Sequence, residues 1–211
     1  PEKRLKIASE TAFLFAPLAH RLGLYTIKSE MEDLVLKYTE PEVYETISQK
    51  LIDSEEQRRK FINRFIKPVE NLLKQEDLNF QIIGRTKSIN SIWKKMLKKN
   101  IPFEEVYDIF AIRIIIDSDD LQKEKIDCWK AYSLVTQVYT PNPERLRDWI
   151  SVPKANGYEA LHTTVMSDAG KWVEIQIRSF RMNEIAEKGY AAHWKYKENK
   201  EGLENSLDDW L

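Results

Sequence analysis

The sequence predicts an α+β protein in which helices first precede and then flank a β-sheet. Three observations predict it. Residues 5–76 repeat apolar side chains three and four apart (Met31, Leu34, Val35, Tyr38; Phe61, Phe65, Val69, Leu72) with charges between them, which is the period of amphipathic helices. From Asn79 the texture changes to short β-rich runs alternating with helical ones, the pattern of a sheet covered by helices. The 211 residues lie between one and two ordinary domains, enough to bury a core without disulfides. The expected organisation is a helical connector over 1–77, a sheet-bearing unit over 78–200 and a short tail over 201–211.

Three or four helices are expected in the first part, which has no glycine after Gly23. Pro41 suits the first turn of a helix, whereas Pro68 lies inside a periodic segment and predicts a kink or a break. In the second part Phe80 to Ile83 reads as a strand, and Gly84 as a tight exit from it. Lys87 to Lys99 reads as a helix, and Tyr107 to Asp117 as a long, mostly apolar, central strand. A helix over 123–139 follows. Two prolines and several charges make Thr140 to Val152 a loop. Leu161 to Ser167 and Lys171 to Arg178, joined by Asp168-Ala-Gly170, read as an antiparallel hairpin, and a last helix spans about Met182 to Lys197.

Composition excludes several classes. Lys plus Arg (33) nearly cancel Asp plus Glu (34), so whole-chain charge argues neither for nucleic acid nor for an acidic partner. The single cysteine, Cys128, excludes an internal disulfide and a cysteine-only metal site, which fits a reducing cytoplasm. The longest apolar run, Ala12 to Ala19, is interrupted by Pro17 and falls far short of the roughly 18 residues of a membrane span. A first residue Pro1 in place of Met, with no signal-like segment after it, predicts a piece of a longer protein.

Candidate chemistry gathers in three places. In Trp172-Val-Glu-Ile-Gln-Ile-Arg178, Val173, Ile175 and Ile177 point one way and Glu174, Gln176 and Arg178 the other. Asp108 precedes the apolar run of the central strand. Paired with Glu174 it offers two hard oxygen ligands, a sufficient protein share for Mg²⁺, which completes its shell with waters and phosphates. Between Gly84 and Lys99 stand six basic residues and no acid (Arg85, Lys87, Lys94, Lys95, Lys98, Lys99). Helical spacing puts Lys87, Ser91, Lys94 or Lys95, and Lys98 near one face, and the helix start offers backbone N–H groups to a polyphosphate. In the third place Lys154 can meet a phosphate, Asn156 and Gly157 can shape a turn, and His162 can donate to phosphate or ribose. Tyr158 offers a stacking face worth roughly 1–3 kcal/mol per base. A solvated basic helix, a solubilising charge at a strand end, and a structural tyrosine and histidine are the alternative readings of the same residues.

With those residues in view, the chain resembles the synthetase domain of the RelA/SpoT family, the alarmone (ppGpp and pppGpp) synthetases of the bacterial stringent response. The matching segments are Gly84-Arg-Thr-Lys-Ser-Ile-Asn-Ser91, Val106-Tyr-Asp-Ile-Phe-Ala-Ile-Arg113, Lys154-Ala-Asn-Gly-Tyr-Glu-Ala-Leu-His-Thr163, Val173-Glu-Ile-Gln-Ile-Arg178 and Ala186-Glu-Lys-Gly-Tyr-Ala-Ala-His-Trp194. Ala16-Pro-Leu-Ala-His-Arg-Leu-Gly23 resembles the helix that leaves the hydrolase domain of long members. The resemblance implies a nucleotidyltransferase-like mixed sheet that moves the β,γ-pyrophosphate of ATP onto the 3′-hydroxyl of GDP or GTP, releasing AMP. It further implies that Asp108 holds Mg²⁺ and that Glu174 is a second ligand or the base for the 3′-hydroxyl. Arg85 would stack on adenine, with Lys87, Ser91 and Lys95 on the ATP phosphates. Tyr158 would stack on guanine, with Lys154, Asn156 and His162 on the acceptor nucleotide. Arg113, Arg147, Asp148, Gln176 and Arg178 would support the site. Any ribosome contact is expected from other regions of the longer protein.

Two departures stand out. The family usually carries Met-His where this chain has Met182-Asn183. Arg145-Leu-Arg147-Asp148 resembles the basic motif of bifunctional members, with Arg147 for the usual Lys and Asp148 retained, and suggests a parent that also hydrolyses its product. The His-Asp-x-x-Glu-Asp hydrolase motif is absent from the chain. The alternative function is a catalytically silent guanine-nucleotide-binding regulatory module of the same fold, against which the retention of both Asp108 and Glu174 argues. Nucleotidyl transfer to a nucleic acid, with no extended basic groove to guide it, is the remaining alternative.

Overall fold

The computed structural model describes residues 2–106, 108–118 and 120–189. The expected continuation of the last helix to Lys197, the Tyr190 to Trp194 part of the last matching segment and the tail lie outside the described residues, as does Tyr107.

Helices fill the first third. α1 (Glu2–Glu10) passes through a π-helical turn (Thr11–Phe15) into α2 (Ala16–Arg21), and α3 (Tyr25–Thr39), α4 (Pro41–Asp53) and α5 (Glu55–Gln75) follow. Pro41 starts α4 as expected. Pro68 does not divide α5, which runs through it as 21 residues. Its apolar side, Phe65, Val69 and Leu73, is 4 % exposed or less, so packing outweighs the one backbone bond the proline removes. Asp77, at a φ of 52°, ends α5: Leu78 N–H donates to Leu73 O at 3.1 Å and turns the chain toward the sheet.

Five strands form one mixed sheet. They are β1 (Phe80–Thr86), β2 (Phe110–Ile116), β3 (Arg147–Asp148), β4 (Leu161–Met166) and β5 (Trp172–Ser179), in the order β1-β2-β5-β4-β3. β2 and β5 run parallel and every other pair is antiparallel. α6 (Ile89–Lys99), α7 (Glu124–Val138) and α8 (Phe180–Lys188) complete the fold. One face of the sheet is the core: Ile112, Ile114, Ile116, Leu161, Val165, Val173, Ile175 and Ile177 pack with Phe65, Val69 and Leu73 of α5 and Cys128, Ala131 and Val135 of α7. The first-half helix α5 thus belongs to the same core as the sheet. Tyr139 closes it, stacked on Phe65 at 4.3 Å and donating its hydroxyl to Phe65 O at 2.9 Å.

Three local expectations are corrected. β1 continues to Thr86, so Gly84 is not a strand exit; a Cβ there would meet Ile62 of α5 at 3.0 Å, and the glycine lets that helix approach. β2 starts at Phe110, leaving Asp108 in the turn before it. The segment expected as loop contributes the short edge strand β3, which pairs with β4. The hairpin turn forms as expected, with Gly170 N–H donating to Ser167 O at 2.9 Å.

α8 docks its C-terminus on the α2–α3 connection. Gly189 has a φ of 72°, and a Cβ there would lie 2.6 Å from Leu22 O and 2.9 Å from Leu24 Cδ2. Gly189→Ala combines a positive-φ, extended conformation that is essentially glycine's alone, about 1–3 kcal/mol, with overpacking of about 1–3 kcal/mol; thermal unfolding should show a midpoint lower by about 5 °C or more. An unchanged midpoint would mean that α8 does not seat on this turn. Cys128 is fully buried, and burial pushes its thiol up to about 12. In native protein at pH 8 it should therefore resist thiol reagents, labelling only in denaturant; rapid native labelling would contradict the packing of α7.

Candidate active site

The second face of the sheet carries the charged side chains, and the strand register sorts them into rows. Arg147, His162, Gln176 and Arg113 lie level across β3, β4, β5 and β2. One pleat away, Thr164, Glu174, Ala111 and Arg85 lie level across β4, β5, β2 and β1. Side chains two apart share a face, so the alternation read in residues 172–178 places Glu174, Gln176 and Arg178 as expected. This face is largely covered: Arg178 is 1 % exposed and Arg113 8 %, with α8 packed on β2 and β5.

Asp108 and Glu174 come together. The Lys87 ammonium donates to Asp108 Oδ2 at 3.0 Å and to Glu174 Oε2 at 2.9 Å, and Lys95 of α6 also reaches Asp108 Oδ2. Burial alone would raise both carboxyls, but Lys95 and Lys87 hold Asp108 below the usual range, and Lys87 and Gln176 do the same for Glu174. Burial works against the Lys87 charge, yet the two carboxylates outweigh it and hold the ammonium above its ordinary value. Asp108, Glu174 and Lys87 are therefore charged at neutral pH. Asp108 Oδ1 is buried without a hydrogen-bond partner among the described residues.

That donor set fits Mg²⁺. No group of three or more His, Cys, Asp or Glu stands together among the described residues, but two hard carboxylates with an unfilled oxygen are what Mg²⁺ takes from protein when phosphates supply the rest. A cation, the Lys87 ammonium, already bridges the two acids.

The helix start behaves differently from expectation. Asp33 of α3 accepts from Ile89 N–H at 3.2 Å and Asn90 N–H at 2.7 Å, and Ser88 Oγ caps α6 by accepting from Ser91 N–H. Three of the backbone donors expected to meet a polyphosphate are thus engaged within the protein. Ser91 Oγ lies 2.8 Å from Ser88 Oγ. Lys94 turns away to Glu32 at 2.9 Å, leaving Lys87 and Lys95 as the lysines at the acids.

The loop before β4 is a turn closed by Gly157 N–H to Lys154 O at 2.8 Å, with Gly157 at a φ of 73°. Its side chains are already in use. Asn156 Nδ2 donates to Tyr25 Oη at 2.7 Å. Lys154 Nζ lies 4.7 Å from the Trp149 ring centre and 5.0 Å from that of Tyr158. Tyr158 is buried, meets Tyr25 edge-on, and its hydroxyl is 2.7 Å from His162 Nε2. Burial pushes His162 down to about 4 despite the nearby Glu174, so the imidazole is neutral; its Nδ1 is 3.8 Å from Glu174 Oε1. The histidine thus links the loop to the acidic pair.

Arg147 and Asp148 lie at the sheet edge. Asp148 Oδ1 accepts from Ile150 and Ser151 N–H, forming a turn, and Arg147 donates to Glu144 O and Leu146 O. Asn183 accepts from Arg113 Nη1 at 3.3 Å.

Besides the Asp33 cap, sequence reasoning missed two features. Arg181 clamps Glu159 through both Nη groups at 3.2 and 3.1 Å and also holds the buried Glu124, anchoring the Tyr158 loop to α8 and α7. Glu187 faces Arg85, Arg113 and Arg178. Both belong to long-range pairs without a local spacing signal, although Glu187 lay inside a segment already singled out.

Residues 84–201 match a family described as the region found in RelA/SpoT proteins. Among curated relatives, a guanosine-3′,5′-bis(diphosphate) 3′-pyrophosphohydrolase of Aquifex aeolicus is 40 % identical over all of this chain and 30 % of its own. A GTP pyrophosphokinase of Escherichia coli K12 is 41 % identical over 93 % of this chain and 26 % of its own. The chain thus spans less than a third of the length of these relatives. The small alarmone synthetase 1 of Bacillus subtilis, in a crystal structure bound to its product pppGpp, is 24 % identical, with 72 % of this chain and 82 % of that one covered, at a TM-score of 0.47. No described helix is long and apolar enough to cross a membrane.

Proposed function

The chain belongs to the RelA/SpoT family, and from that premise we propose that it transfers the β,γ-pyrophosphate of ATP to the 3′-hydroxyl of GDP or GTP, yielding ppGpp or pppGpp and AMP. The observation that carries the reading is the pair of partly buried, ionised carboxylates, Asp108 and Glu174, bridged by Lys87. In this reading the 3′-oxygen bonds to the β-phosphorus of ATP, the bond from that phosphorus to the α-phosphate oxygen breaks, and AMP leaves. Asp108 and Glu174 would hold Mg²⁺, whose contribution is to neutralise phosphate charge. Lys87, Lys95 and Ser91 would meet the ATP phosphates, and Arg85 the adenine. Tyr158 would carry the guanine, with Lys154, Asn156 and His162 around the acceptor nucleotide. Glu174 would accept a hydrogen bond, and then the proton, from the 3′-hydroxyl. Because its carboxyl is held low, it is a weak base, so positioning and charge neutralisation carry most of the rate.

A role in the stringent response and a cytoplasmic location belong to the same proposal. The hydrolase name of some relatives is not carried over. The chain covers under a third of them, and none of its three histidines, His20, His162 and His193, precedes an aspartate.

Incubation with ATP, GDP and Mg²⁺ is the direct test: ppGpp and AMP are expected. Nucleotide binding without product would leave the silent regulatory module, and release of pyrophosphate would point to nucleotidyl transfer. Glu174→Gln removes the charge at nearly constant volume and should reduce synthesis by about 10²–10³-fold with the fold intact; a rate within a few-fold of the parent removes Glu174 from the chemistry. For the acceptor, Tyr158→Phe should keep the GDP KM within a few-fold, whereas Tyr158→Leu, which loses the ring, should raise it far more than the ATP KM. Equal effects on both substrates would refute a guanine platform.

A further inference from the structure

Three arginines from three neighbouring strands, Arg85 of β1, Arg113 of β2 and Arg178 of β5, converge on one carboxylate. Glu187 Oε1 lies 2.9 Å from Arg113 Nη1, 3.4 Å from Arg178 Nη2 and 3.9 Å from Arg85 Nη1. Its other oxygen accepts from Thr26 Oγ1 of α3 at 3.1 Å. Arg113 and Arg178 are buried, and the Nε of each has no hydrogen-bond partner among the described residues. Buried cations this close repel unless an anion separates them, and a partly satisfied buried network is costly. Burial lowers both guanidiniums, Arg178 to about 10, and Arg113 adds to the effect at Arg178.

We infer that Glu187 is a positioning residue for the donor nucleotide, gathering Arg85, Arg113 and Arg178 into one fixed array beside the acidic pair, with Thr26 locking the carboxylate from behind. The opposite possibility is that Glu187 is a stand-in for a substrate phosphate and must swing away when ATP binds. Geometry favours the first. Both carboxylate oxygens are engaged, and the bond from Thr26 comes from a different element than the arginines, so the group is held on two sides. Arg85 is the least buried of the three and the farthest from Glu187, so its direction depends most on the field of the other charges. Arg113 and Arg178 are buried with their Nε atoms enclosed, so neither guanidinium is free to swing and the array is held in place. The identity of the nucleotide rests on the synthetase reading, in which Arg85 meets adenine.

The test uses the 211-residue chain, with calorimetric binding of a non-hydrolysable ATP analogue and of GDP beside steady-state kinetics. Glu187→Gln should weaken the ATP analogue tenfold or more while leaving GDP within about twofold, so that the ATP KM rises and kcat at saturating ATP changes little. The unchanged GDP affinity also reports an intact fold. Glu187→Asp should recover part of the loss, and Thr26→Val should shift ATP in the same direction by less. Tighter ATP binding would establish the phosphate stand-in and overturn the inference, as would equal weakening of both nucleotides or no change in either. The binding arm keeps the two readings apart. A parent chain that binds both nucleotides without making ppGpp sinks the synthetase reading alone, one in which Glu187→Gln changes nothing sinks the role of Glu187 alone, and one that binds no ATP analogue sinks both.

Discussion

The parallel pairing of β2 with β5 is the constraint on which the rest depends. Because strand side chains alternate strictly, register fixes every residue's face at once. Aligning Ile112 with Ile175 and Ile114 with Ile177 commits these residues to the core. The same register commits Arg113 and Gln176 to one row of the opposite face and Glu174 to the next. A slip of one residue would bury Glu174 and Arg178 among leucine and isoleucine side chains, where unpaired charge is prohibitively costly. Hydrophobic burial on one side thus enforces the position of the charged groups on the other, and no separate device is needed to bring Glu174 to the mouth where Asp108 enters β2.

Partly buried charge is stabilised by alternation of sign. Lys87 sits between two carboxylates, Glu187 among three guanidiniums, and Arg181 between Glu124 and Glu159. Each group is partly buried, and in each case a partner of opposite sign stands within hydrogen-bond reach, the arrangement that low dielectric demands. The unfilled atoms are informative against that background. Asp108 Oδ1, Arg113 Nε and Arg178 Nε all lie on or beside the same face, so unsatisfied polar capacity gathers where the acids and arginines meet, with Thr163 and Asn90 as the remaining cases elsewhere.

Period and punctuation made most of the elements legible. The helical stretches, the hairpin at residues 168–170 and the two faces of β5 follow from spacing alone, because burial obeys the same period as the backbone. Pro68 misled because propensity is local: one missing N–H cannot break a helix whose Phe65, Val69 and Leu73 are locked under a sheet. β3 was invisible because two residues of edge pairing carry no periodic signal. At the site, Asp108 with Glu174 was legible from chemistry and strand position, whereas Glu187, Arg181 and the Asp33 cap were not. Each of those acts across a contact between distant segments, and a side chain that works by tertiary proximity leaves no spacing to read.

That last class shows what the first-half helices do. α5 is part of the sheet's core, and α3 reaches the polar face three times: Asp33 caps the helix that carries Lys95, Thr26 holds Glu187, and Tyr25 binds Asn156 and meets Tyr158 edge-on. These contacts address three different parts of the proposed site, the phosphate lysines, the arginine array and the acceptor loop. A rigid shift of α3 would therefore perturb all three together, whereas a change within the sheet would perturb one row at a time. Since Gly189 fits directly against Leu22 and Leu24 just before α3, movement of that helix must also be felt by α8. The α2–α3 turn is thus the place where the N-terminal helices meet α8 and, through Thr26, the arginine array.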